Sequence, residues 1–259
     1  IQGTLGSNQT GNVYVVFGRG DDFTGDILLT QLNGTDGFIV AGDEDFEELG
    51  SSISGGDFNN DGLNDVLIGA TGVDEGLDSN VGEAYIIYGS NIPFPGLIET
   101  FNLNGAIGTS ILGDGVTGQL GTSVANLGDV NGDGIDDIGL GAPLEDSTFT
   151  NAGAAYVVFG SLSGPAATNV SNLDGTNGFT VSGLGVGDSV GFSIAAAGDV
   201  NGDGLQDILI GVPGADYNGA FNSGVVALLY GTAGGFPANV DLANLNGTNG
   251  TIIGGVDMS

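Results

Sequence analysis

Three nonapeptides carry most of the chemistry open to this chain. Asp57-Phe58-Asn59-Asn60-Asp61-Gly62-Leu63-Asn64-Asp65 recurs as Asp129-Val130-Asn131-Gly132-Asp133-Gly134-Ile135-Asp136-Asp137 and as Asp199-Val200-Asn201-Gly202-Asp203-Gly204-Leu205-Gln206-Asp207. Their common form is D-x-N-x-D-G-x-x-D. Oxygen-bearing side chains at positions 1, 3, 5 and 9 can converge on one cation, and the main-chain carbonyl of position 7 (Leu63, Ile135, Leu205) can complete the shell. Gly at position 6 permits the sharp reversal this requires. Carboxylates crowded into so short a stretch repel one another, and a divalent ion reverses the sign of that interaction.

The ion is narrowed by what the chain lacks. With no Cys and no His, the usual zinc, haem and thiolate sites cannot form, and an all-oxygen donor set suits a hard cation such as calcium, about three ions in all. A single D-N-D-G stretch is equally well read as an Asx and Gly turn between strands. Three copies in register favour the metal reading. A helical EF-hand is excluded, because its twelfth position needs a bidentate Glu and here holds Ile68, Leu140 and Ile210 inside apolar runs.

Those runs belong to a repeat. Gly11-Asn-Val-Tyr-Val-Val-Phe-Gly18 returns at Gly82–Gly89, Gly153–Gly160 and Gly224–Gly231, 71 residues apart each time. A second run follows each: Gly37–Gly42, Gly108–Gly113, Gly178–Gly183 and Gly250–Gly255. The unit that enters and leaves an acidic loop occurs only three times, at 51–70, 122–142 and 192–212. Each full period holds four short β-branched or aromatic runs between Gly, Asn and Asp turns, the pattern of a four-stranded antiparallel blade. One such sheet buries too little alone and leaves reactive edges, so the blades must pack on one another around an axis.

The expected fold is therefore an all-β propeller of four-stranded antiparallel blades. Its divisions are a partial blade at 1–49 and complete blades at 50–119, 120–189 and 190–259. The unmatched phases of the two ends suggest one sector of a larger ring, with open blade edges through which chains could self-associate.

Composition sets further bounds. The 259 residues are 40% hydrophobic, enough for a core, and 53 Gly fit many tight turns and no long helices. The single basic residue, Arg19, stands against 32 acidic ones, a net charge of -31 that repels nucleic acid and anionic membranes. No stretch approaches the ~20 apolar residues of a membrane helix. The surface charge is also compatible with a halophile's protein. Arg19-Gly20-Asp21 spells an adhesion tripeptide in a loop, though such triplets arise casually in variable loops. Sequons at Asn8, Asn33, Asn169, Asn246 and Asn249 are expected by chance in so Asn- and Thr-rich a chain.

The residues together resemble FG-GAP repeats, the units of the integrin α-subunit β-propeller and many bacterial surface proteins, over essentially the whole chain. The name motifs fall at Leu49-Gly50, Leu120-Gly121 and Val190-Gly191, where the family's Phe is replaced, and at Gly69-Ala70-Thr71, Gly141-Ala142-Pro143 and Gly211-Val212-Pro213. The resemblance implies seven blades, calcium loops between the first two strands of a blade, and ligand contacts from loops on a ring face. The functional expectation is a secreted or cell-surface adhesion or binding module for a protein or glycan. Weak calcium sites of ~10⁻⁴ to 10⁻³ M would fill only in millimolar surroundings. A structural repeat of a filament, surface layer or matrix is the alternative. No nucleophile or general acid can be nominated, so no enzyme is expected.

Overall fold

A computed structural model describes residues 10–20, 26–146 and 149–255. Sixteen strands lie along it. They are β1 (Asn12–Val16), β2 (Gly37–Ala41), β3 (Leu49–Gly56), β4 (Asp65–Ala70), β5 (Glu83–Ile87), β6 (Leu97–Glu99), β7 (Gly108–Leu112), β8 (Ser123–Gly128), β9 (Asp137–Ala142), β10 (Ala154–Val158), β11 (Gly178–Ser182), β12 (Ser193–Gly198), β13 (Asp207–Val212), β14 (Val225–Leu229), β15 (Asn239–Asp241) and β16 (Gly250–Gly254). Four 3-10 turns are the only helical segments among the described residues, and no helix is long and apolar enough to cross a membrane.

The strands form four sheets, ordered β1-β2-β6, β3-β4-β5-β7, β8-β9-β10-β11-β15 and β12-β13-β14-β16. Each repeat supplies four antiparallel strands, as its alternation requires. Two strands are additions that the repeat count did not show. β6 pairs in parallel with β2 of the preceding sheet, and β15 does the same with β11. Between them, a single parallel bridge joins Leu112 of β7 to Asn169. Every described repeat after the first therefore lends a short clasp to the outer edge of the blade before it.

Alternation explains how one sheet serves two cores. In β4, Ile68 joins the cluster of Val13, Phe38, Val40 and Leu49, while its neighbour Leu67 joins that of Phe58, Val124, Ile138 and Leu140. A third cluster centred on Leu127, Phe179, Val181, Ile208 and Ile210 follows. Successive blades thus share their apolar faces, and β9, with neighbours on both sides, is buried throughout.

The inner strands approach closely where the name motifs lie. A Cβ at Gly69 would sit 2.1 Å from the carbonyl oxygen of Gly121, and one at Gly141 would sit 1.9 Å from that of Gly191, so neither position admits a side chain. Hydrogen bonds bind the same seam: Ser52 Oγ donates to the Gly121 carbonyl at 2.7 Å, the Asn126 amide to Ser54 Oγ at 2.9 Å, and the Ile194 amide to Ser123 Oγ at 3.0 Å.

Candidate metal centre

Each nonapeptide bridges the first two strands of a blade, from β3 to β4, β8 to β9 and β12 to β13. The three loops are built alike. Left-handed backbone at position 4 (Asn60, Gly132, Gly202) and position 6 (Gly62, Gly134, Gly204) folds the chain back over the carboxylate of position 1. Asn60 takes the strained place that Gly holds in the other copies, as Asn readily does.

The first half of each loop is closed by side chain to backbone bonds, with position 5 exposed throughout and positions 1 and 3 half-buried in the first two loops and exposed in the third. Asp57 accepts the amides of Asp61 (3.0 Å) and Gly62 (2.9 Å). Asp129 accepts those of Gly132 (2.6 Å), Asp133 (3.1 Å) and Gly134 (2.8 Å), and Asp199 those of Gly202 (2.7 Å), Asp203 (3.1 Å) and Gly204 (2.9 Å). At position 3, the Oδ1 of Asn59, Asn131 and Asn201 accepts the amide of position 5. The Nδ2 of the same Asn donates to the position 5 carboxylate of Asp61, Asp133 or Asp203. That carboxylate in turn accepts the amide of Leu63, Ile135 or Leu205.

Position 9 is different. Asp65, Asp137 and Asp207 are at most 1% exposed. One oxygen of each takes the amide of position 2 (Phe58 3.0 Å, Val130 2.9 Å, Val200 2.8 Å). The other takes the amide of the Gly two residues beyond the third strand (Gly89 2.8 Å, Gly160 3.1 Å, Gly231 2.9 Å). Burial, opposed by those two amides, pushes the Asp65 carboxyl up to about 6 and that of Asp137 up to about 7. The side chain of position 7 packs beside the same Gly, where a Cβ would stand 2.6 Å from Leu63 Cβ or from Ile135 Cγ2.

The sequence-predicted donors therefore divide. Positions 1, 3 and 5 crowd the tip, while position 9 lies at the base and ties the loop to the third strand. Among the described residues, no three carboxylates stand close enough to grip one ion. The donor types still fit a hard cation, since a carboxylate oxygen that accepts one N–H keeps a second lone pair for a metal. Of the Arg19-Gly20-Asp21 triplet, Asp21 lies outside the described residues, and Arg19 Nη1 stands 3.7 Å from Asp36 Oδ1. Sequence reasoning missed the clasps, although the recurring Leu-Asn/Asp-Gly that follows each one (Leu103-Asn104-Gly105, Leu173-Asp174-Gly175, Leu245-Asn246-Gly247) marks their place.

Stacked antiparallel blades, three of them with an acidic hairpin between the first two strands, define a β-propeller arrangement. The chain carries three FG-GAP repeats: the FG-GAP repeat family matches residues 49–87, 120–158 and 190–229, each span running from the first strand of a blade through its third. Similarity extends to phosphatidylinositol-glycan-specific phospholipase D of Homo sapiens, 31% identical over 215 residues, covering 83% of this chain and 24% of that protein. The Bos taurus protein of that name is 32% identical over 186 residues, 71% of this chain and 21% of its own length. Integrin alpha-PS2 of Drosophila melanogaster is 28% identical over 253 residues, 95% of this chain and 17% of the integrin. The chain thus spans about a quarter or less of the curated relatives it matches. These relatives correct the expectation that no enzyme is involved, because proteins about 31% identical to it are named as a phospholipase D, although the shared stretch is the repeat region alone.

Proposed function

We propose that this chain is a calcium-stabilised, ligand-binding propeller segment of an extracellular or cell-surface protein, one sector of a seven-bladed ring. The observation that carries the proposal is the threefold recurrence of one loop geometry, with hard oxygen donors of positions 1, 3 and 5 gathered at its tip. Calcium bound there draws the carboxylates of each loop together and holds the first two strands of the blade in register.

The ligand is a protein or glycan met by the opposite face. Antiparallel order places the β2–β3, β4–β5, β7–β8, β11–β12 and β13–β14 loops at the end of the blades away from the acidic hairpins. These loops expose Phe46, Leu77, Val116, Val186 and Phe221, with Leu77 and Phe221 almost wholly in solvent. Large apolar side chains held in water at loop tips are suited to contact a partner. Self-association through open blade edges belongs to the same proposal.

Calorimetric titration of the chain with calcium tests the reading. About three sites with dissociation constants near ~10⁻⁴ to 10⁻³ M are expected. Absence of binding in millimolar calcium overturns it.

A further inference from the structure

The clasps follow a rule of size. The first described blade presents Phe17 and Phe38, and its clasp brings Phe94, which stacks on Phe38 with ring centroids 4.4 Å apart. The third presents Phe159 and Phe179, and its clasp brings Phe236, stacked on Phe179 at 4.2 Å. The second presents Tyr88 and Thr109 at the same strand positions, opposite Ile107 and Ile86 in the sheet. Its clasp carries Gly164 where the others carry Phe, followed by Pro165 and Ala166 as Phe94 is followed by Pro95 and Gly96 and Phe236 by Pro237 and Ala238. Gly164 is required there, because a Cβ would stand 2.0 Å from the Tyr88 hydroxyl. Ala167 and Val170 are buried in the same cluster as Tyr88.

All three clasps bond to the outer strand through one parallel ladder, the Leu112 bond lying one rung beyond the other two. Ile39 donates to the Gly96 carbonyl (3.0 Å), Leu112 to that of Thr168 (3.0 Å) and Thr180 to that of Ala238 (2.9 Å). The fourth blade has the acceptor without a described clasp. β16 is the edge of its sheet, Ile253 is exposed, and a cavity of ≈ 400 Å³ opens beside Leu229, Tyr230, Thr248 and Asn249. Its two residues at the deciding positions are Tyr230 and Thr251, the counterparts of Tyr88 and Thr109.

We infer that the outer edge of β16 with the cavity at Tyr230 is a seat for an extended Gly-Pro-Ala segment of an adjoining FG-GAP repeat, added as a parallel strand, and that it rejects the Phe-bearing kind. The occupant follows from the molecule itself: where an acceptor carries Tyr and Thr, the partner is aromatic-free, and where it carries two Phe, the partner inserts a third. A Phe forced over Tyr230 would meet the hydroxyl that Gly164 avoids at Tyr88. The inference is independent of the acidic loops and of any metal.

The test uses the whole chain and two labelled peptides, one of residues 161–172 and one identical but for Gly164→Phe. Fluorescence anisotropy should show the first binding and the second about tenfold weaker or more, the cost of overpacking a fitted site. Hydrogen exchange should show new protection at the amides of 250–254. Tyr230→Phe/Thr251→Phe, which copies the Phe159 and Phe179 setting, should reverse the order of the two peptides, and a melting curve shows whether it folds. Binding of neither peptide, equal binding, protection elsewhere, or an unchanged order in a folded Tyr230→Phe/Thr251→Phe chain overturns the inference. If that variant does not fold, the comparison on the unaltered chain decides alone.

Discussion

Positions 1 and 9 of the acidic loops hold the same residue in opposite settings. Asp129 lies half-buried at the tip and caps three amides of its own loop, whereas Asp137 is fully buried at the base and joins that loop to the third strand through Val130 and Gly160. A repeated Asp is therefore two devices: one closes a turn that solvent can also serve, and the other satisfies donors that water cannot reach. The device at the tip can exchange its amides for a cation at little cost, and the buried one cannot be lost without orphaning two N–H groups.

The largest effect should come from the buried end. Asp137→Ala leaves the Val130 and Gly160 amides unpaired, and denaturant unfolding should show a loss of roughly 4 kcal/mol, equal in EDTA and in calcium. A loss seen only in calcium would merge the two devices into one.

Next comes a buried carboxylate with no place in the loops. Glu47, on the opposite face, accepts the amides of Asp43 (2.8 Å) and Glu44 (3.2 Å), yet burial pushes its carboxyl up to about 7. The folded chain thus holds this proton more tightly than the unfolded chain. Its favourable contribution is full below the ordinary value of 4.5 and is lost as the pH rises to about 7. Unfolding followed from pH 4 to 8 should show a fall of about 3 kcal/mol from this group, which Glu47→Gln removes. An unaltered pH slope in the variant would place the proton elsewhere.

At the tip the expected changes are smaller. Calcium at ten times its dissociation constant should stabilise the chain by ~1.4 kcal/mol per loop. Asp133→Ala should erase one such increment in a calorimetric melt while leaving the EDTA melt within about 1 kcal/mol of the unaltered chain. The smallest effect is that of Asn131→Asp. It should lower stability in EDTA by a few tenths of a kcal/mol through added repulsion, and raise the calcium response. If it lowers both, position 3 does not face the ion.

Much of this was legible beforehand because the signals were local. Alternating runs such as Val13–Phe17 and Leu67–Ile68 with flanking Gly mark strands, and the registers of β1 with β2 and of β14 with β16 follow from them. The acidic loops were visible as spacing. The division of labour within them was not, because Asp reads alike whether buried or exposed, and only the amides of Gly89, Gly160 and Gly231, some two dozen residues on, distinguish position 9. The clasps were hidden for a related reason. β6 and β15 are three residues long with one buried side chain each, Ile98 and Val240, too short for any period to show, and their partners lie in the preceding repeat.

Those clasps give the chain a direction in time. Synthesis from the amino end releases a blade before the segment that seats on its outer edge has been made, so each unit waits half-finished for the arrival of its successor. Assembly should then advance as a travelling front, and stalled chains should be vulnerable to proteases at the newest rim and shielded behind it.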